Sequence, residues 1–309
     1  MKNKITTIGN LTIDDIVLCD TAEIYLASIG GNALFSAIGA RIWDAAPLIV
    51  SRIGKSFPIE FKQQVKVLGI NTALIPMACN DIRNWALYEP GGARQFVNHM
   101  TSGSHYDMSI TAAELPKECW DADGIHVAPM PTDVQYDVLK AIRQLKNKGT
   151  VVSWDPHEYY LSQPDFNKMA YEMLEMVDLF LPSKEEVTAM CGNRDIYTCI
   201  KEFASRGPTV VAVKMSTDGS IVYDKSSGDF YHVPIINSIT KDPTGAGDAY
   251  CGGFLNAFIE SGDAVLAACS ATVSSSYIVE EIGAINKLKA DFSTRNFRYE
   301  RIRYNVKKY

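Results

Sequence analysis

The chain reads as an α/β protein with a mainly parallel central sheet and helices on both faces. Two observations predict that class. Short apolar runs at Ile5 to Ile8, Leu48 to Ser51, Gly124 to Val127, Thr150 to Trp154, Asp178 to Leu181 and Thr209 to Val213 have the length of buried strands. Between them, Asn32 to Trp43, Ile59 to Leu68, Val134 to Lys146 and Glu185 to Met190 carry helical spacing. Strands that alternate with helices pair in parallel, because each crossover lays its helix on a face of the sheet. Ligands of such folds gather at the carboxyl ends of the strands.

One segment departs from the alternation. Arg83 to Tyr88, turn residues at Glu89-Pro90-Gly91-Gly92, and Ala93 to Val97 read as a β-hairpin with polar and apolar residues interleaved. No internal repeat, low-complexity tract or linker divides the 309 residues, so one domain over 1–309 is expected.

Lys241-Asp242-Pro243-Thr244-Gly245-Ala246-Gly247-Asp248 precedes an apolar, helix-like run from Ala249 to Phe258. Small residues let backbone N–H groups approach an anion, and a helix starting there adds the positive end of its dipole. A carboxylate such as Asp248 would repel a bound phosphate, unless its task is to take a proton from an attacking hydroxyl. A glycine-rich turn with an aspartate helix cap is the competing reading of the same residues.

Composition narrows the class of function. A 47% hydrophobic content supplies a sizeable core, and a formal charge of −6 argues against a nucleic-acid partner. The seven cysteines show no C-x-x-C spacing, which suggests neither a disulfide framework nor a zinc site and fits a reducing cytoplasm. No apolar run is long enough to span a membrane, and Met1-Lys2-Asn3-Lys4 leads straight into a strand, so no signal peptide is expected. The histidines lack metal-ligand spacing, and no Ser-His-Asp order asks for a hydrolase.

Asp242-Pro243-Thr244-Gly245-Ala246-Gly247-Asp248 resembles the C-terminal signature of the ribokinase-like (PfkB) carbohydrate kinases. Gly30-Gly31, followed by an Ala-rich helix, lies where that family carries its sugar-binding glycines, and the likeness runs from Gly9 to Gly283-Ala284. The resemblance implies a three-layer sandwich with a small β-sheet lid, built from strands at about 11–28 and 83–98. It implies ATP-dependent phosphorylation of a hydroxyl, with Asp248 as general base and Gly245, Ala246 and Gly247 holding the charge that develops. It also implies Mg²⁺ and, in some relatives, K⁺.

Carried over residue by residue, the resemblance places Asp14 against substrate hydroxyls, with Asp15 as the other possible register. Gly30, Gly31 and Asn32 join it in binding substrate. Phe35 stands where many relatives have an asparagine. Leu181-Pro182-Ser183-Lys184-Glu185-Glu186 is similar to an N-x-x-E motif, with Ser183 for the asparagine and Glu186 as the Mg²⁺-supporting carboxylate. Ser183 and Glu186 also fit a helix capping box. Lys214, Ser216 and Gly219 fall in a nucleotide loop that has lost one of its two glycines, or in a plain hairpin turn. Thr244 is grouped with the nucleotide contacts, and Asp242 and Thr244 sit where some relatives bind a monovalent cation, potassium. Asp155-Pro156-His157 ends a strand at the expected active-site edge, where the family commonly has Asp-x-Asn, so His157 is a departure expected to face phosphate or substrate; Ala267 to Val279 falls where relatives form a wall of the adenine pocket.

The expected substrate is a small sugar. Two alternatives stand beside it: a nucleoside, stacked on Phe35, Trp85 and Tyr88, and a catalytically inactive sugar-binding relative. A homodimer through the lids is expected, because exposed strand edges pair and Trp85, Leu87 and Tyr88 supply apolar surface.

Overall fold

A computed structural model describes residues 2–89 and 94–309. The strands run β1 (Lys4–Ile8), β2 (Thr12–Leu18), β3 (Glu23–Gly30), β4 (Ala46–Ile53), β5 (Asn71–Pro76), β6 (Ile82–Tyr88), β7 (Arg94–Asn98), β8 (Gly124–Val127) and β9 (Val151–Trp154). Then follow β10 (Leu179–Phe180), β11 (Val210–Lys214), β12 (Ser220–Asp224), β13 (Asp229–Val233) and β14 (Lys307–Lys308). Ten of them form one sheet in the order β14-β13-β12-β11-β10-β9-β8-β1-β4-β5. From β11 to β5 every pairing is parallel, and β12 to β14 are added antiparallel at one edge. The predicted mainly parallel sheet is therefore observed.

Helices cover both faces, as a sheet apolar on both sides requires. On one face, Thr132–Leu145, Pro164–Met173, Lys184–Cys191 and Ile196–Arg206 bury Trp154, Phe180 and Phe203, with Trp154 and Phe180 stacked at 4.8 Å. On the other, Asn32–Arg41, Ala246–Ser261 and Ala264–Val279 press together. A side chain at Gly252 would strike the backbone of Ser36, so only glycine permits this approach, and it fixes the axis of the helix that carries Asp248.

The other four strands form a small separate sheet in the order β3-β2-β6-β7. The hairpin expected near residues 83–97 is there, with Tyr88 opposite Arg94 and Asn84 opposite Asn98. Its turn at Pro90 to Ala93 lies outside the described residues. β2 and β6 pair in parallel, Asp14 beside Asn84 and Asp15 beside Trp85. Because side chains alternate along a strand, Asp14 and Asp15 face opposite sides of this sheet.

Candidate active site

The segment from Asp242 to Asp248 is a wall shared by two cavities. A cleft of about 640 Å³ is lined by Gly245, Ala246, Gly247 and Asp248, and across from them by Asp155, Ser183, Glu186, Lys214, Ser216 and Gly219. A smaller pocket is lined by Asp14, Gly30, Phe35, Phe96, Asp242 and Thr244. Asp248 stands in the first turn of the helix Ala246–Ser261, where backbone N–H groups have no acceptor within their own helix. Gly245 opens that helix at φ 83°, and a Cβ there would run into the Phe35 ring. Phe35 is thus the floor of the turn, 3% exposed, as well as a border of the smaller pocket.

Across the cleft, β11 ends on Lys214, whose Nζ lies 2.5 Å from Asp155 Oδ2 and 3.6 Å from Cys251 Sγ. Burial works against this ammonium, but the Asp155 carboxylate outweighs it and raises the lysine above its ordinary value. A Cβ built on Gly247 would come 3.9 Å from Nζ, so the amine sits beside the Gly-Ala-Gly turn. Ser216 adopts φ 54° in the single 3₁₀ turn Ser216–Asp218, and Gly219 reverses the chain into β12. The loop is a turn, and Ser216 and Gly219 also line the large cleft.

Glu186 also does two things. Ser183 N–H donates to Glu186 Oε2 at 2.5 Å, and Glu186 N–H donates to Ser183 Oγ at 3.2 Å, a complete capping box. Glu186 nonetheless borders the cleft, where burial and then the neighbouring Asp155 push its carboxyl up to about 8. Asp155 Oδ1 is buried without a hydrogen-bond partner among the described residues. Asp155, in the Asp155-Pro156-His157 segment expected at the active-site edge but given no role of its own from sequence, follows β9 directly and borders the cleft.

Of the two adjacent aspartates, Asp14 borders the smaller pocket. Its carboxylate accepts from Thr12 Oγ1 at 2.8 Å and Asn84 Nδ2 at 3.0 Å, and burial raises it to about 6. Asp15 turns to the opposite face, where Arg83 Nη2 donates at 2.9 Å and Ala27 N–H at 2.7 Å. Gly30 packs against Asp14.

Other candidates take different places. Gly31 caps the helix Asn32–Arg41 at φ 107°. The Asn32 amide is a strut, accepting from Asn10 N–H at 2.9 Å and donating to Pro129 O at 2.6 Å. Thr244 faces the smaller pocket, not the large cleft, and its hydroxyl is bonded to the Tyr88 hydroxyl. Asp242, grouped with a monovalent-cation site, is paired with a side chain: Lys287 Nζ lies 2.8 Å from Asp242 Oδ2, with both side chains buried. His157 caps the short helix Glu158–Leu161 among His105 and Tyr160 and borders neither cavity, because its Nδ1 accepts from Tyr159 N–H. Burial lowers it to about 4, so it carries no charge for phosphate.

Of the three aromatic residues considered for stacking a base, only Phe35 borders the pocket. Trp85 stacks on His99 across the sheet at 4.5 Å, and the Tyr88 hydroxyl donates to Asp242 Oδ1 at 2.5 Å. Phe96, on β7, is the aromatic residue that sequence reasoning missed. It alternates with the outward Val97, a signal legible only once the β6–β7 register is known. Thr272, Ser275, Ser276 and Val279, from the helix Ala264–Val279, line the large cleft.

The helix start from Gly245 to Asp248 thus stands between the large cleft and the smaller Asp14 pocket, in a chain whose relatives are phosphotransferases with an alcohol group as acceptor. The chain belongs to the pfkB family of carbohydrate kinases, whose model matches residues 3–291. It is 28% identical over 254 residues to a cytidine kinase of Thermococcus kodakarensis, covering 81% of this chain and 87% of that one. Its fold matches an E. coli protein described as a ribokinase II, solved with ATP and Mg²⁺, at a TM-score of 0.77 and 19% identity, over 97% of this chain and 100% of that one. A Vibrio cholerae O395 fructokinase double mutant, solved with fructose, ADP and potassium, matches at 0.72 and 18% identity, over 93% and 96%. Among the described residues no helix is long and apolar enough to cross a membrane.

Proposed function

We propose that the chain transfers the γ-phosphate of ATP to a hydroxyl of a small carbohydrate. The observation that carries this reading is the shared wall, which puts Asp248 and the Gly245 turn on the cleft and Asp242 and Thr244 on the Asp14 pocket. ATP fills the large cleft, its phosphates beside Gly245 to Gly247 and Lys214. The acceptor lies in the smaller pocket, where the Asp14 carboxylate takes hydrogen bonds from its hydroxyls.

Asp248 accepts the acceptor's proton as its oxygen bonds to the γ-phosphorus and the bond to the β,γ-bridging oxygen breaks, releasing ADP. The amides of Gly245, Ala246 and Gly247 hold the charge on the transferring group. Asp155 and Glu186 would hold Mg²⁺, since two crowded carboxyl groups, one oxygen of them unpartnered, are a donor set that a hard cation satisfies. The chemistry it supplies when bound is neutralisation of phosphate charge.

The small sheet acts as a lid of the single 1–309 unit, excluding water that would hydrolyse ATP. Exposed Ile24, Leu26, Trp85 and Val97 support a homodimer through these lids. Tyr88, turned inward, is not part of that surface. Seven unpaired cysteines accord with a cytoplasmic setting.

A nucleoside acceptor is the second reading, supported by the cytidine kinase relative and by Phe96 at the pocket's edge. ADP release measured over a panel of sugars and nucleosides tests both. A free sugar with the highest kcat/KM is the expected result; a nucleoside above every sugar would install the second reading, and no acceptor at all would remove both.

A further inference from the structure

The turn that opens the Asp248 helix is built around a buried ammonium group. Lys287 comes from the short helix Ala284–Leu288 and is 0% exposed. Its Nζ lies 2.8 Å from Asp242 Oδ2, 3.1 Å from the Asp242 carbonyl and 2.8 Å from the Thr244 carbonyl, and 5.1 Å from the centre of the Phe35 ring. The other Asp242 oxygen is committed as well, accepting from Tyr88 Oη and, at 2.9 Å, from Thr244 N–H. Gly283 N–H approaches Oδ2 at 3.4 Å. Burial alone would raise Asp242, yet Lys287 holds it below the usual carboxylate value, so the pair is ionic.

One carboxylate and two carbonyl oxygens at hydrogen-bond distance, closed by an aromatic face, are what a dehydrated monovalent cation requires. We propose that the Lys287 ammonium is a tethered monovalent cation that organises the Asp242–Gly245 turn, so that this chain neither binds nor needs potassium there. A free cation would have to share the same oxygens with a fixed positive charge that no solvent screens. The tether has a structural consequence. Lys287 pins the two carbonyls just before Gly245, while Asp242 and Thr244 hold Tyr88 of β6, so one cation joins the phosphate turn to the small sheet.

The inference rests on the proposed kinase activity only for its turnover readout; the melting temperature reads it independently. The purified full chain is assayed in potassium, ammonium, sodium and choline chloride at an ionic strength of about 0.1 M, where surface electrostatics are equally screened. Wild type is expected to show the same melting temperature and turnover in all four. Lys287→Ala, which removes the ammonium and opens its place, is expected to melt lower and to lose turnover by up to ~10²-fold, the scale of a misplaced reacting geometry. Potassium or ammonium, but not sodium or choline, should then raise both, because a bound ion stabilises the state that holds it. Lys287→Met, which fills the space without charge, should lose both without rescue. A wild type that melts higher or turns over faster in potassium overturns the proposal, as does Lys287→Ala without selective rescue. If neither variant folds, the wild-type salt series decides alone. Absence of turnover with an unchanged wild-type melting temperature across the salts would count against the kinase reading and not against this one.

Discussion

Replacing Asp14 by asparagine is expected to make the protein more stable while weakening its grip on substrate. The Asp14 carboxyl is 7% exposed, and burial lifts it from 3.8 to about 6 against the hydrogen bonds of Thr12 and Asn84. The folded chain therefore binds this proton more tightly than the unfolded chain. Stability is fullest below about pH 4 and falls as the pH rises through about 6. At pH 8 the ionised group costs about 3 kcal/mol, and at pH 5, where the folded carboxyl is mostly protonated, about half of that. Asparagine keeps the shape: its oxygen accepts from Asn84, and its amide donates to the Thr12 hydroxyl, which can accept as well as donate.

Urea unfolding of wild type and Asp14→Asn at pH 8 and pH 5 measures the difference directly. The variant should gain about 3 kcal/mol at pH 8 and roughly half of that at pH 5. Its KM for the acceptor should rise at least ~10-fold, because charge-assisted hydrogen bonds from substrate hydroxyls become neutral ones. A variant that is less stable than wild type by the same amount at both pH values would refute the reasoning, since the carboxylate would then be compensated by its surroundings. Unchanged KM would separately remove Asp14 from the substrate site.

Gly245→Ala combines a left-handed backbone with a clash against Phe35, so stability should fall by at least ~1–2 kcal/mol and turnover with it; a soluble, fully active variant would count against the turn geometry. Lys214→Met leaves the crowded Asp155 and Glu186 without their cation, and a stability loss of about 3–5 kcal/mol with at least ~10-fold weaker ATP binding is expected by calorimetry. Intact nucleotide affinity would exclude Lys214 from the phosphate site. Light scattering at micromolar concentration should report a dimer, and Trp85→Glu on the outer face of the small sheet should shift it toward monomer; a monomeric wild type refutes the lid interface.

Much of the frame was legible because it depends on local pattern. β8 matches the apolar run from Gly124 to Val127, and the helix read over Ala249 to Phe258 is there, starting three residues earlier at Ala246 within the run of small residues. What escaped depends on partners distant along the chain. Asp14 and Asp15 are neighbours of equal chemistry, and only the pairing of β2 with β6, some seventy positions on, decides which one faces the pocket. Strands β12 to β14 add to the sheet edge antiparallel, against the strand-helix alternation that predicts the rest. Lys287 sits in Ile285-Asn286-Lys287-Leu288-Lys289, a stretch in which a lysine reads as solvated. Tertiary packing buries it beside Asp242, 45 positions away. Tyr88 looked like outward material for a dimer until the register turned it toward the same aspartate.

The central claim is that Asp248 takes the proton of the attacking hydroxyl. Asp248→Asn keeps the size of the side chain and the helix start but removes the acceptor. Single-turnover phosphoryl transfer with saturating ATP and acceptor, read alongside ATP affinity and melting temperature on the same variant, tests it most directly. The account predicts that transfer falls by at least ~10²-fold while ATP binds as tightly as before or more tightly, because a negative charge beside the phosphates is gone. Near-normal transfer, accompanied by a stability loss of about 1 kcal/mol as for a removed helix cap, would contradict it.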